Sequence, residues 1–412
     1  VVKLKKWKRI EVSVLAFVIM TAIPGCTKEE IPLSPVKTEL VIWHYWDVKE
    51  NKKQLDNLVE AFNDSQDEIE AELQFVPSED FKKQLALSMA DDKMPDLALV
   101  DSSDFQYFYA MQPFVDLTDQ VPELEHYIPA VMEPCKVGDR IYGQPFGVNC
   151  PALFYNKKIF REAGVDVPKN WDDFYQAAVG TTGNNKYGVA LSALQSEQSL
   201  YEFLPILWGM GADVDSLDSP AGKNAFDLLT RLTSCRAMSR DCINLTMNDL
   251  MNQFADENIS MVFQSSSIID DLRERNPELE FDIARLPYAG DPVTVAGGEV
   301  FAVTRGEQQG AAVAFLNYIA DKDRMTAYMD DFGLLAPRQD VMDTQYKDDP
   351  MKHKFIELFK TARYREVSPA WPQISSVVAR AMRQSIIGEK RNEEILQEAA
   401  DEVRRIREGE GR

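Results

Sequence analysis

Histidine is nearly absent, with three residues among 412. A histidine-rich metal site is excluded on that count alone. Basic residues are also scarce. Forty-five Lys and Arg stand against 67 Asp and Glu, a net charge of −22. Neutralising phosphates needs clustered Lys and Arg, so a general nucleic-acid binder is excluded. Beyond residue 26 no apolar run reaches the ~18 residues that suggest a membrane-spanning helix. The chain has no Gly-x-Ser-x-Gly elbow, no phosphate-binding Gly-rich loop, no His-Glu-x-x-His and no Cys-x-x-Cys. Carboxylates abound without marking a catalytic pair, so a secreted carbohydrate-active enzyme is the weaker rival to a binding protein. An adhesive or structural lipoprotein is a third class. Gly (20) and Pro (21) are near average abundance, which speaks against a collagenous or disordered chain. At ~100–200 residues per domain, the length suggests two or three domains.

The first 26 residues are an export address. Lys3, Lys5, Lys6, Lys8 and Arg9 precede an apolar stretch over residues 12–23. That is too short to span a bilayer and suits a signal-peptide core. It runs into Ile23-Pro24-Gly25-Cys26, which resembles the bacterial lipobox. Residues 1–25 are therefore expected to be a signal peptide, with Cys26 the lipidated residue. Residues 26–37, with Pro32 and Pro35, are expected to be a tether. Losing five basic residues and Glu11 takes the net charge to −26. A lipid anchor holds a protein on the membrane without spanning it, here on the extracytoplasmic face, whether a Gram-positive surface or a periplasm.

Four further cysteines form two couples close in sequence. An oxidising exterior favours the disulfides Cys135–Cys150 and Cys235–Cys242 over free thiols. Loop closure would contribute ~3 and ~2 kcal/mol respectively.

Residues 39–46 form an apolar run bounded by charges, the pattern of a buried strand. Leu55, Leu58, Val59 and Phe62 then recur at helical spacing within residues 53–64. Residues 69–76 read as a second strand, 81–90 as a helix and 95–101 as a third strand. This alternation predicts a parallel sheet in an α/β fold. Ligands of such sheets bind beyond the carboxyl ends of the strands, here Tyr45-Trp46-Asp47 and Asp101-Ser102-Ser103. Turn-rich residues 138–147 lead to a strand at 152–156. Helices are expected at 157–163, 171–178, 200–210, 221–233 and 247–255. Strands follow at 259–263, 281–286 and 296–304. Helices at 311–319, 323–332 and 375–407, the last interrupted near Gly388, complete the pattern.

Several motifs stand in a familiar order: Trp43-His-Tyr-Trp46, Met94-Pro-Asp96-Leu, Tyr142-Gly-Gln-Pro and Leu153-Phe-Tyr155-Asn. Gly297-Gly298, Gly333-Leu-Leu-Ala-Pro-Arg338 and Trp371-Pro-Gln-Ile follow. The chain resembles family 1 extracellular solute-binding proteins, the maltose-binding-protein-like receptors of ABC importers. The resemblance implies a two-lobed, periplasmic-binding-protein-like α/β fold. The lobes are discontinuous and joined by a hinge: residues 38–146 with 298–342, and residues 147–297 with 343–412. It further implies a monomeric, non-enzymatic receptor without cofactor or metal. Such a receptor holds a small solute, a sugar or oligosaccharide, in the inter-lobe cleft and hands it to the permease subunits. A polyamine or other cation, held by Asp47, Asp101 and Glu299, is the alternative solute.

Site candidates follow from residue chemistry, each with a structural alternative. Tyr45 and Trp46 offer aromatic faces for sugar C–H surfaces. Strand alternation sends Trp43 and Tyr45 to one side and His44 and Trp46 to the other, with Trp43 assigned to the core. Asp47 and Asp101 suit paired hydroxyls, or else helix N-caps. Tyr155 and Trp208 offer further aromatic surface, or packing. Gln264 and Ser265 supply both donors and acceptors. Gly298 allows close backbone approach or a bulge, and Glu299 beside it is a ligand acceptor or a hinge lock. Trp371, between Pro369 and Pro372, is the expected stacking platform.

Overall fold

The computed structural model describes residues 37–46, 49–91, 93–183, 186–388 and 390–410. The expected signal peptide, lipidation at Cys26, all of the tether but Lys37, and Asp47 lie outside the described residues.

Eleven strands order the described chain. They are β1 (Thr38–His44), β2 (Ile69–Phe75), β3 (Leu97–Asp101), β4 (Lys136–Val137), β5 (Arg140–Ile141), β6 (Gln144–Asn149), β7 (Ala152–Asn156), β8 (Met261–Gln264), β9 (Phe281–Ala284), β10 (Thr294–Val303) and β11 (Ala362–Tyr364). Helices Lys49–Asp64 and Ser78–Ala90 carry the chain from β1 to β2 and from β2 to β3. Both pairings of β1, with β2 and with β3, are parallel, as the alternating pattern predicts. Leu55, Leu58, Val59 and Phe62 form the buried stripe of the first helix.

The largest sheet has the order β11-β10-β3-β1-β2, with β6 also pairing β10. A second sheet, β8-β7-β9, is antiparallel. The fold is the two-lobed α/β kind. Strand alternation puts Phe154 of β7 into one apolar cluster and Leu153 into another, so this small sheet is buried on both faces.

β10 changes partners along its length. Thr294–Ala296 pairs in parallel with β11, whereas Glu299–Val303 runs antiparallel to β3. Between them Gly297 and Gly298 lie against Asn149 and Val148 of β6, and the register slips at Glu299/Val300. A glycine is required here. Gly298 has φ +149°, and a Cβ on it would lie 2.3 Å from the Gly147 carbonyl oxygen. Two of the three boundaries expected between the lobes, at 146/147 and 297/298, therefore fall on strands that pair with each other.

The C-terminal helices, Trp371–Ile387 and Asn392–Glu410, break where Gly388 takes a left-handed conformation, close to the expected interruption. Helix Pro350–Phe359 and the three-residue β11 have no counterpart in the sequence reading. β11 is too short to show a period, and it pairs with a segment 68 residues upstream.

The expected disulfides are not formed. Cys135, Cys150, Cys235 and Cys242 are all free thiols, and only Cys235 is exposed. Cys135 and Cys150 sit in different apolar clusters, and burial pushes both thiols well above their ordinary range. Cys235 caps helix Pro220–Ser234 and turns its thiol to the Leu232 carbonyl, 3.5 Å away. Sequence proximity alone does not align Cβ vectors.

Candidate functional site

The carboxyl ends of β1 and β3 meet the crossing strand β10 and the segment after β11. β1 ends at His44, so the alternation expected for Tyr45 and Trp46 no longer applies. Both side chains turn to the same group. Tyr45 Oη donates to Glu299 Oε1 at 3.4 Å, and Trp46 Nε1 donates to the same oxygen at 3.2 Å. Trp46 otherwise packs at a tilt against Phe146 and Phe332, with centroids 5.8 and 5.3 Å away. Tyr45 packs on Phe81. Trp43 is in the core, its Nε1 on Gln74.

Asp101 closes β3. Its Oδ1 accepts from the Ser103 backbone N at 2.8 Å, from Ser103 Oγ at 2.7 Å and from Arg365 Nη2 at 2.9 Å. Arg365 Nη1 donates to Glu197 Oε1 at 3.0 Å. The same oxygen accepts from Trp371 Nε1 at 2.8 Å. Glu197 opens helix Glu197–Gly209, and Trp371 opens helix Trp371–Ile387. One buried guanidinium, its side chain 3% exposed, therefore joins the end of β3 to the start of a helix some hundred residues later. Lys82 pairs with Asp104 at 2.6 Å beside them.

Among the described residues, polar atoms in this cluster have no hydrogen-bond partner although buried. They are Glu299 Oε2, Glu197 Oε2, Arg365 Nε, Tyr364 Oη and Ser196 Oγ. Such atoms are rare in folded proteins and costly, roughly 1–3 kcal/mol each. The five are of donor and acceptor kind, and Tyr364 and Arg365 also line a narrow gap beside Ser102 and Ser103. Burial, and then the neighbouring Asp101 charge, push the Glu299 carboxyl up to about 7. Burial likewise pushes Asp104 up to about 7, against the pull of Lys82.

Next to the cluster, beyond Tyr364 and Trp371, lies a 370 Å³ cavity. Trp208, Asp213, Arg363, Glu366 and Arg407 complete much of its wall. Trp208 Nε1 donates to Asp213 Oδ1 at 3.1 Å, and the Arg363 guanidinium stacks 4.5 Å above its ring while pairing with Asp213.

Of the sequence candidates, Tyr45, Trp46, Asp101, Glu299 and Trp371 converge on the cluster. Trp208 lines the adjoining cavity. Trp371 is 1% exposed, so it presents its edge nitrogen to Glu197 rather than a free ring face. Gly298 is buried against the Gly147 backbone and accepts from the Ser102 backbone N. The contacts of Tyr155, Gln264 and Ser265 lie elsewhere. Tyr155 packs on Phe160, Gln264 donates to the Met247 carbonyl, and Ser265 pairs with Ser267. Arg365, Glu197 and Tyr364 escape a sequence reading. An acid in the first turn of an apolar helix reads as a dipole partner. Arg365 had one available hint, its position shortly before Pro369-Ala-Trp-Pro372.

Known proteins align with this architecture. A multiple sugar-binding protein of Streptococcus mutans serotype c (strain ATCC 700610 / UA159) is 22% identical over 360 residues, 79% of this chain and 81% of its own. An ABC transporter solute-binding protein from Thermotoga lettingae TMO, solved with alpha-D-tagatose, superposes with a TM-score of 0.83 at 23% identity. That match covers 90% of this chain and all of the other. The GacH receptor of Streptomyces glaucescens GLA.O, solved unliganded and with acarbose, gives 0.82 at 20% identity over 90% of this chain and 98% of its own. The model of one family, described as bacterial extracellular solute-binding protein, matches residues 57–353. That match spans well over half of the sequence and includes β2, β3, β6 to β10 and most of the clustered polar groups, and the chain belongs to the bacterial extracellular solute-binding proteins.

Proposed function

We propose that the chain is a lipid-anchored receptor that binds a saccharide between its lobes and delivers it to the permease of an ABC importer. The observation that carries this reading is the set of five buried polar atoms without partners, framed by Tyr45, Trp46 and Trp371. A saccharide hydroxyl both donates and accepts, so it satisfies Arg365 Nε and Glu197 Oε2 alike. The relative from Streptococcus mutans and the two solved receptors bind sugars or sugar-like molecules by their names, which supports the same class of solute.

The lobe limits proposed are 38–146 with 298–342, and 147–297 with 343–412. The change of partners along β10 supports a boundary at Gly297-Gly298. A solute that touches both Asp101 and Glu197 binds the closed arrangement better than the open one, and so shifts the population toward closure. A solute confined to one lobe has no such preference. The receptor carries out no chemistry on its solute, takes no cofactor, and works as a monomer held at the extracytoplasmic face of the cell membrane through Cys26.

The test is calorimetry of the purified chain against mono- and oligosaccharides, with product analysis on the same samples. Stoichiometric binding, an unchanged sugar and a smaller radius of gyration in small-angle scattering are expected. Product formed at catalytic rates, or no saccharide bound, overturns the reading. Cys26→Ala should free the protein from membranes. Retention after a carbonate wash would remove the anchor from the proposal.

A further inference from the structure

The cluster holds more acid than base. Among the described residues, Asp101, Asp104, Glu197 and Glu299 share it with two cations, Arg365 and Lys82. Both cations are already committed. Lys82 serves Asp104, and Arg365 serves Asp101 and Glu197. The hydrogen-bond partners of Glu299 are the neutral Tyr45 and Trp46, both on Oε1. Its Oε2 is buried and unpartnered.

The unpartnered atoms are also unequal in kind. Two are carboxylate oxygens, which in the ionised state only accept. One, Arg365 Nε, only donates. The hydroxyls of Tyr364 and Ser196 do either. The guest that fits is rich in donors and brings positive charge. A neutral hydroxyl offers Glu299 a single ordinary hydrogen bond. A protonated amine offers up to three donors and the missing charge, and charge-assisted bonds are roughly twice as strong. Among the described residues no group of three His, Cys, Asp or Glu side chains could hold a metal ion, so an organic cation fits better than an inorganic one.

We propose that the saccharide taken by this site carries a protonated amino group seated against Glu299 Oε2, making the solute an amino sugar or an oligosaccharide that contains one. This rests on the saccharide reading above. The raised Glu299 carboxyl is consistent with it, because a bound ammonium would hold that carboxyl ionised near neutral pH.

Matched sugars separate the two readings. Glucose, galactose and mannose, and β-1,4-linked glucose oligomers of two to four units, are each compared with their 2-amino and N-acetylated counterparts. Calorimetry on the full chain at pH 6.5, where the amines are protonated, gives the affinities. In at least one set the amine should bind about tenfold tighter than both neutral partners, equivalent to about 1.4 kcal/mol. Glu299→Gln, which keeps the shape and removes the charge, should narrow that ratio to about threefold or less. Neutral sugars binding as tightly as the amines in every set would overturn the inference and leave the saccharide reading standing. Binding of none of the sugars, or of spermidine alone, would overturn both.

Discussion

Among the described residues two arginines are buried, and they are treated differently. Arg338 is 1% exposed, and each of its terminal nitrogens is used. Nε and Nη2 form a fork on the two oxygens of Asp340, each at 3.0 Å. Nη1 donates to Glu123 at 2.7 Å and to the Ala320 carbonyl at 2.9 Å. Arg365 is nearly as buried, yet it makes single bonds to two different carboxylates and leaves Nε without a partner. A complete set of bonds offsets the cost of burying a charge. An incomplete one persists where something else is to be bound. Arg338 is fully bonded, whereas Arg365 stands in the candidate site.

Lysine substitutions at the two positions test that contrast, because they keep the charge and remove the fork. Arg338→Lys should cost about 3 kcal/mol in denaturant unfolding and leave solute affinity within about twofold, since it loses several charge-assisted bonds. Arg365→Lys should cost only about 1 kcal/mol and weaken solute binding at least about tenfold. Equal stability losses with unchanged affinity for Arg365→Lys would make both arginines structural.

The carboxylates beside the two arginines differ in the same way. Arg338 and Lys322 hold Asp340 below its ordinary range, against the opposing effect of its partial burial. Burial, then the charge of Asp101, push Glu299 up to about 7. The sign of the pH effect follows from proton uptake. The raised Glu299 contributes stability that is complete below its unfolded value near 4.5 and is lost as pH rises through about 7. Glu299→Gln has no such loss. The variant and the parent should be equally stable near pH 5, and the variant should gain roughly 2 kcal/mol by pH 8. Asp340→Asn should behave oppositely, destabilised at neutral pH and converging on the parent in acid. A Glu299→Gln difference that does not change with pH would mean Glu299 is solvated.

Much of the fold was legible in the sequence, and less of the site. The β–α–β–α–β opening, the glycine crossing and the break at Gly388 carry local signals, namely period, flanking charge and glycine placement. Trp46, Asp101, Glu299 and Trp371 are expected site residues because of strand ends, the glycine crossing and a proline-flanked aromatic, and the structure brings them into one cluster. Their roles were not legible. Trp371 was expected as an open platform and is enclosed, because the edge of its ring is held by Glu197. Arg365 and Glu197 become neighbours only when the chain folds, 168 residues apart in sequence. No local pattern encodes that pairing. The cysteine couples show the converse, since sequence proximity suggested pairing where geometry provides none.

The smallest effect compares two tyrosines. Tyr346 Oη is buried and donates to the Leu334 carbonyl at 2.6 Å, with the Met329 carbonyl at 3.3 Å. Tyr364 Oη is buried and has no hydrogen-bond partner among the described residues. Removing a satisfied hydroxyl leaves backbone acceptors short of a donor, so Tyr346→Phe should cost about 1 kcal/mol and leave solute affinity unchanged. Removing an unsatisfied one takes away a desolvation penalty, so Tyr364→Phe should be neutral, or more stable by up to about 1 kcal/mol. If that hydroxyl meets the solute, Tyr364→Phe should also weaken binding by about threefold to tenfold. Denaturant unfolding and calorimetry on the same two variants read both quantities. A loss of stability in Tyr364→Phe equal to that in Tyr346→Phe would mean that an ordered water already completes the Tyr364 hydroxyl. The contrast between a closed structural network and an open binding surface would then fail at that position.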